Sequence, residues 1–431
     1  MCHDLIHVWD SIPLDSGPAM NLHQYLRDAT ILFTALAAIT PLLGIAPASI
    51  FLALALLCFL AESCFSRSWS WHLPAYWLPW LCFFLATAAS LVFSPDPWGG
   101  RAAVYKFWLF LLVPLLLSRF SPEHVLKTFR GLFAAGTVAA LLSVGQYLLA
   151  SSHEHGWRVT GFMSHWMTLS GELLLVVVPL AAFLLYGAKP SLPYWAAASA
   201  LTAALLLTMT RSVWIAVVAA LLLLLFMRFP SWKTPALFLL AGFIILLLVP
   251  AAVQRRIRSI GDASDPSNYA RLAIWRAGGK MVQAHPLFGI GPQRITTVFY
   301  DYHPCPEDRR RSGFYPVHMH NNLLQFAAER GIPCALAWFW LMLKIGWDHW
   351  RLFRRANEVF PERAVCAAGF LAVLALFLAG LFEFNFGDSE VLLLFLFLTA
   401  CPYVFARSSR KPQLSIRSPG EIGVCGGSES S

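Results

Sequence analysis

The chain has 431 residues, 58% of them hydrophobic and only 13% charged, with a formal net charge of +9. Soluble globular proteins run at about 45–50% apolar and about 25% charged, so the composition excludes a multidomain soluble enzyme, a disordered chain and a disulfide-stapled secreted domain. The apolar runs are continuous rather than alternating, which also argues against a membrane β-barrel. What remains is an all-α polytopic membrane protein, because a helix satisfies its own backbone groups in hydrocarbon. In chain order, a cytoplasmic segment over 1–29 precedes twelve predicted spans, each near the ~20 residues needed for a crossing. They are 30–46, 48–65, 74–93, 102–118, 130–150, 169–187, 193–209, 212–228, 235–252, 331–347, 364–384 and 388–405. Little more than Pro47 separates the first two, which are expected to form a tight helical hairpin. Spans 1–9 fill 30–252, one large polar loop occupies 253–330, spans 10–12 fill 331–405, and a Ser-, Gly- and Arg-rich tail over 406–431 is expected to be disordered. Asp4, Asp10, Asp15 and several His precede any apolar run, an order unlike that of a cleavable signal peptide.

Short-loop Lys and Arg set the orientation. With the N-terminus inside, the cytoplasmic segments hold 17 of the 32 basic residues, while the outer segment EFNFGDSE (383–390) has none. The large loop is the exception. Residues 254–317 carry ten basic and five acidic side chains on the outer side. Long loops translocate regardless of charge, and an outward basic loop suits an anionic partner, whether a substrate or lipid headgroups. Cys305 is the one clear cysteine in that loop, so no structural disulfide is expected. The sequence shows no internal repeat, P-loop or dinucleotide fingerprint.

Polar residues beside apolar runs are costly and mark candidate sites. Arg211, in LLLTMTRSVWIAVV, falls at the outer end of the hairpin between spans 7 and 8. It either snorkels to the outer headgroups or presents a fixed cation to a phosphate, which its planar fork grips in pairs. Arg158 lies in the shorter outer loop 151–168, which is either a plain turn or a second face toward the anion. In SNYARLAIWRAGGK, Arg271, Trp275 and Lys280 share one helical face. That pattern fits a basic helix lying on the membrane or one that brings Arg271 down onto a cavity. AHPLFGIGPQR (284–294) predicts a compact turn. PVHMHNNLLQFAAERG (316–331) begins a helix entering span 10, with His318, Asn322, Gln325 and Glu329 in one polar stripe. His320 and Asn321 sit near the helix start, where unpaired N–H groups attract negative charge, and a His there is placed to act as a general base. His318 and Asn321 are supporting candidates. The H-x-H pattern also raises zinc, with His285 and His303 as further ligands. Two His at i and i+2 point to different sides of a helix, however, and no carboxylate or Cys set completes a metal site.

These residues resemble a known family. His320 and Asn321, followed by nine residues and Gly331, are similar to the His-Asn-(nine residues)-Gly signature of bacterial O-antigen ligases, within the O-antigen ligase and polymerase-like membrane proteins. HPLFGIG, TRSVW at Arg211 and RVTG at 158–161 are further elements. The resemblance covers roughly residues 155–345 at motif level. One position departs: a second Gly often follows three residues after the first, and here it is Cys334.

The resemblance implies a GT-C-like glycosyltransferase of the inner membrane that takes a glycan from undecaprenyl diphosphate on the periplasmic face. The ligases pass it to a lipid A–core sugar hydroxyl and need no metal or other cofactor. By position, Arg211 and Arg271, with Arg158 as a further candidate, match arginines that hold the donor diphosphate, and His320 matches the His that activates the acceptor. A polymerase or a protein O-oligosaccharyltransferase of the same family is an alternative. A transporter or flippase of an anionic lipid is an alternative from another class, although the candidate charges collect at the outer rim and no repeat is visible. Partners are the lipid-linked donor, a glycan acceptor and membrane lipids, with no nucleic acid.

Overall fold

The computed structural model describes residues 22–150, 158–187, 191–248, 251–262, 265–303, 317–356 and 361–408. The N-terminal segment up to residue 21, Cys305, the basic run 309–311 and the tail beyond 408 lie outside the described residues. Every regular element among the described residues is helical. The helices in order are α1 (Leu22–Ile39), α2 (Ile45–Ser66), α3 (Trp77–Val92), α4 (Pro97–Arg119, with a 3₁₀ stretch at Lys106–Leu111) and α5 (Pro122–Leu149). Next come α6 (Trp166–Tyr186), α7 (Leu192–Leu207), α8 (Arg211–Arg228) and α9 (Lys233–Leu248). The loop region forms α10 (Ala251–Arg258), α11 (Pro266–Ala284), α12 (Ile295–Tyr302) and α13 (Asn322–Arg330). The chain closes with α14 (Ile332–Arg355), α15 (Glu362–Ala379) and α16 (Ser389–Ser408).

Each predicted span coincides with one helix, but eight of these are long and apolar enough to cross a membrane by length and composition among the described residues. α3, α7 and α9 have 16 residues each, about 24 Å at 1.5 Å per residue, short of a hydrocarbon core of about 30 Å. α14 is long enough but carries Lys344, Asp348, Arg351, Arg354 and Arg355. Large apolar side chains such as Ile50, Leu57, Leu85, Leu141 and Leu336 point outward, an arrangement that water penalises and hydrocarbon does not. α6, α15 and α16 are the most enclosed spans and form the centre of the bundle.

The first hairpin turns earlier than expected. A 3₁₀ turn at Thr40–Leu43 ends on Gly44 at φ 135°, and Pro47 belongs to the first turn of α2. Proline is tolerated there because the first helical N–H groups have no intrahelical acceptor. The helix expected to run from His318 into span 10 is also divided. It starts at Asn322 and stops at Gly331, where φ is 86°, and α14 begins anew. Asn322, Gln325 and Glu329 form the buried stripe foreseen for this helix, whereas His318 precedes it.

Polar contacts gather the connections into two groups. In one, Arg119 pairs with Glu62 at 2.7 Å, Ser118 Oγ accepts from His72 N–H, Arg407 donates to Leu117 O and Arg228 to Leu185 O. In the other, Ser90 Oγ donates to Phe288 O, Lys106 to Gly387 O and Thr168 Oγ1 to Asp388. The second group surrounds the site described next.

Candidate active site

Gln146 of α5 clamps the segment that carries Arg158. Its Oε1 accepts from Thr160 and Gly161 N–H, and its Nε2 donates to Gly161 O. The Arg158 guanidinium lies 4.8 Å from the Trp166 ring centroid and makes no hydrogen bond or ion pair with another described side chain. Arg211 opens α8 after Met209, whose φ is +53°. It does not snorkel. It is buried and bonded to Ser259 O (2.6 Å), Ser259 Oγ (2.8 Å), Asp265 Oδ1 (3.1 Å) and Asn268 Oδ1 (2.7 Å). Asp265 also caps α11 and meets Arg256 at 3.4 Å. Burial pushes the Asp265 carboxyl up, but Arg211 and Arg256 more than offset it and hold it below the usual range.

One face of α11, with Ala273, Ile274, Ala277, Gly278 and Met281, packs into the protein. Gly278 admits Met319 and Leu324, and Trp275 Nε1 donates to Met319 O at 3.0 Å. The same helix brings Arg271 to Glu383, with Nη2 2.6 Å from Oε1, while Nη1 donates to Ser267 Oγ and Nε to Phe382 O.

His320 has φ +48° and projects from the turn before α13, its Nδ1 3.1 Å from Glu383 Oε2. Burial raises the Glu383 pKa, but the His320 hydrogen bond and the Arg271 charge outweigh it, so the carboxyl sits below its ordinary value. In a neutral imidazole, an ionised Glu383 accepting from Nδ1–H leaves the lone pair on Nε2. His318 differs. Its Nδ1 accepts from His320 N–H at 3.3 Å, and burial followed by the neighbouring His320 pushes its pKa down to about 4. The two rings do not diverge as they would on a helix, since neither residue is helical; they meet edge to face with centroids 4.2 Å apart. Asn321 caps α13 through Leu324 N–H and tethers Leu381 O. Gln325 holds Met319 N–H, and Asn322 Nδ2 donates to Asn385 Oδ1. His285 bonds the Tyr302 hydroxyl instead of joining His318 and His320.

Arg158, Arg211, Arg256, Arg271, His320 and Glu383 line one cavity of about 200 Å³. Arg158 is half-buried at the edge of this set. Burial, then repulsion from Arg256, lowers its pKa to about 10, with Glu383 only partly countering. Four guanidiniums facing Glu383, with Asp265 behind, leave a surplus of positive charge that an anion would neutralise. Glu383 and Arg256 are not singled out by the sequence. Glu383 reads there only as part of an acidic connection, and Arg256 is one basic residue among ten in the loop.

The signature glycine and the HPLFGIG turn form one structural unit. Gly289 has φ +68° and a Cβ there would overlap the Glu329 and Arg330 backbone; a Cβ at Gly331 would overlap Leu287 O. Ile290 and Gly291 N–H donate to Ala328 O and Glu329 O, and Ile332 N–H to Pro286 O. This lock fixes the C-terminal end of α13, hence the His320 turn at its start.

Residues 196–339 match the family described as O-antigen ligase. The matched stretch contains Arg211, Arg256, Arg271 and His320, with Arg158 and Glu383 outside it. No curated protein matches the chain. Over residues 196–339, this multi-helical membrane chain is therefore similar to the O-antigen ligase family.

Proposed function

We propose that the chain transfers a glycan from undecaprenyl diphosphate to a sugar hydroxyl of lipid A–core, on the periplasmic face of the inner membrane, within a GT-C-like bundle of twelve crossings. One observation carries this reading: four arginines and a His320–Glu383 pair converge on a single cavity. The two groups of connections fit alternate crossing by each helix, and the cavity group contains the large loop assigned to the outside.

The donor diphosphate sits among the arginines. Arg158 is free to receive it, Arg256 and Arg271 add charge, and Arg211 holds the floor through Ser259, Asp265 and Asn268. His320 Nε2 takes the proton from the acceptor hydroxyl as its oxygen bonds the anomeric carbon. The bond from that carbon to the phosphate oxygen breaks, and its electron pair leaves on the diphosphate. Glu383 stabilises the imidazolium formed, and the guanidiniums stabilise the charge on the leaving group. A single displacement inverts the anomeric configuration.

Gathering of the charges at one cavity, rather than along a path across the bilayer, favours transfer over transport. Dominance of one outer loop favours a ligase over a polymerase. The test is reconstitution with purified undecaprenyl-diphosphate-linked glycan and lipid A–core. Glycan-modified lipid A–core with inverted linkage is expected. Longer lipid-linked glycan or modified protein would overturn the ligase reading, and retained configuration would exclude the single displacement.

A further inference from the structure

Two more cavities continue from the arginine site. One of about 280 Å³ shares Glu383 with it, and shares His318, Phe384 and Asp388 with a larger one of about 420 Å³. The large cavity lies in the size range of small-molecule sites, and its lining chemistry differs from that of the arginine cavity. Lys106 and Arg330 are balanced by Glu329 and Asp388, so the wall carries no surplus charge. Phe107 and Phe384, each partly buried, supply apolar ring surface beside these polar groups. Arg330 Nη1 donates to Thr87 behind this wall. Balanced charge and aromatic rings match an uncharged sugar, whose C–H face packs on rings while its hydroxyls pair with charged and amide groups.

We infer that the 420 Å³ cavity is the acceptor subsite and takes a neutral sugar ring. The inference rests on the transfer reaction proposed above. In an in-line displacement the attacking and leaving oxygens stand on opposite sides of the reacting carbon, and this cavity lies on the far side of His318 and Asp388 from the arginines. The acceptor hydroxyl reaches the reacting centre through the connecting cavity, whose Glu383 bonds His320.

Filling the cavity tests this. Ala103, on the α4 wall, is buried against it, and Thr296 lines it from α12. Ala103→Trp and Thr296→Phe are assayed in the reconstituted full chain with undecaprenyl-diphosphate-linked glycan and core oligosaccharides ending in a neutral or a phosphorylated hexose. Binding of undecaprenyl diphosphate is measured separately. Each variant is expected to raise the KM for the neutral acceptor at least tenfold, with undecaprenyl diphosphate binding unchanged. Thr296→Phe keeps the test open should the larger substitution on α4 prevent folding. Weakened undecaprenyl diphosphate binding with unchanged acceptor KM would make this the donor's cavity and overturn the inference. So would unchanged kinetics in both variants, or preference of the wild type for the phosphorylated acceptor. Failure of the wild type to bind undecaprenyl diphosphate or to transfer any glycan would instead sink the underlying reaction.

Discussion

In the proposed reaction His320 depends on Glu383, which orients the ring and fixes its tautomer from 63 residues away. His320→Ala should lower the transfer rate by about 10²–10⁴-fold, the usual contribution of a general base. His318→Ala should cost less, because His318 Nδ1 already accepts the His320 N–H and its low pKa makes it a poor base. Rates in the reconstituted system decide the order. Glu383 also leaves a pH signature. Its folded pKa is depressed, so its contribution to stability is present above the unfolded value of about 4.3 and disappears as pH falls through the folded value. Glu383→Gln should therefore shrink the difference in melting temperature between neutral and acid pH. Arg158 is the cleanest arginine to remove. It has no polar partner among the described side chains, so Arg158→Ala should weaken undecaprenyl diphosphate binding by about 10- to 100-fold, the loss of one charge-assisted contact, without lowering the melting temperature. Arg211→Ala should abolish transfer and also lower the melting temperature, since it removes a shared partner of the half-buried Asp265, Asn268 and Ser259.

At the scale of elements, the break between α13 and α14 decides where His320 points. A continuous helix would carry the polar stripe straight into the membrane. Instead Gly331 lets the HPLFGIG turn dock on the carbonyls of α13, and Asn321 caps the other end. Gly331→Ala combines positive φ with a clash against Leu287 O and should destabilise the fold by about 2–4 kcal/mol, read as a lowered melting temperature in detergent. Gly279→Ala is the matched control. It lies in α11 with nothing within 4 Å of its added Cβ, and should be neutral or stabilise by up to about 1 kcal/mol.

Across the whole molecule, the proposed twelve crossings put the two groups of connections on opposite sides of the membrane. Trp98 beside the cavity group and Trp232 between α8 and α9 are both exposed. In a cysteine-free background, Trp98→Cys should react with a membrane-impermeant thiol reagent in intact spheroplasts and Trp232→Cys only after lysis. The reverse pattern would place the arginine cavity in the cytosol.

The sequence alone determined the helical membrane class and the approximate place of each long apolar helix, because twenty apolar residues in hydrocarbon have few alternatives and the signal is local. It also picked out Arg211, Arg271, Arg158 and His320 by residue type and by resemblance. Turn chemistry at Gly44 and Gly331 shifted two boundaries, since a positive-φ glycine ends a helix that hydropathy would continue. Only the tertiary structure decided which charges meet. Arg271 and Glu383 are 112 residues apart, and Arg158 and Arg256 come from different loops. Pairing between loops depends on how the helices beneath them pack, and periodicity along one segment carries no trace of that.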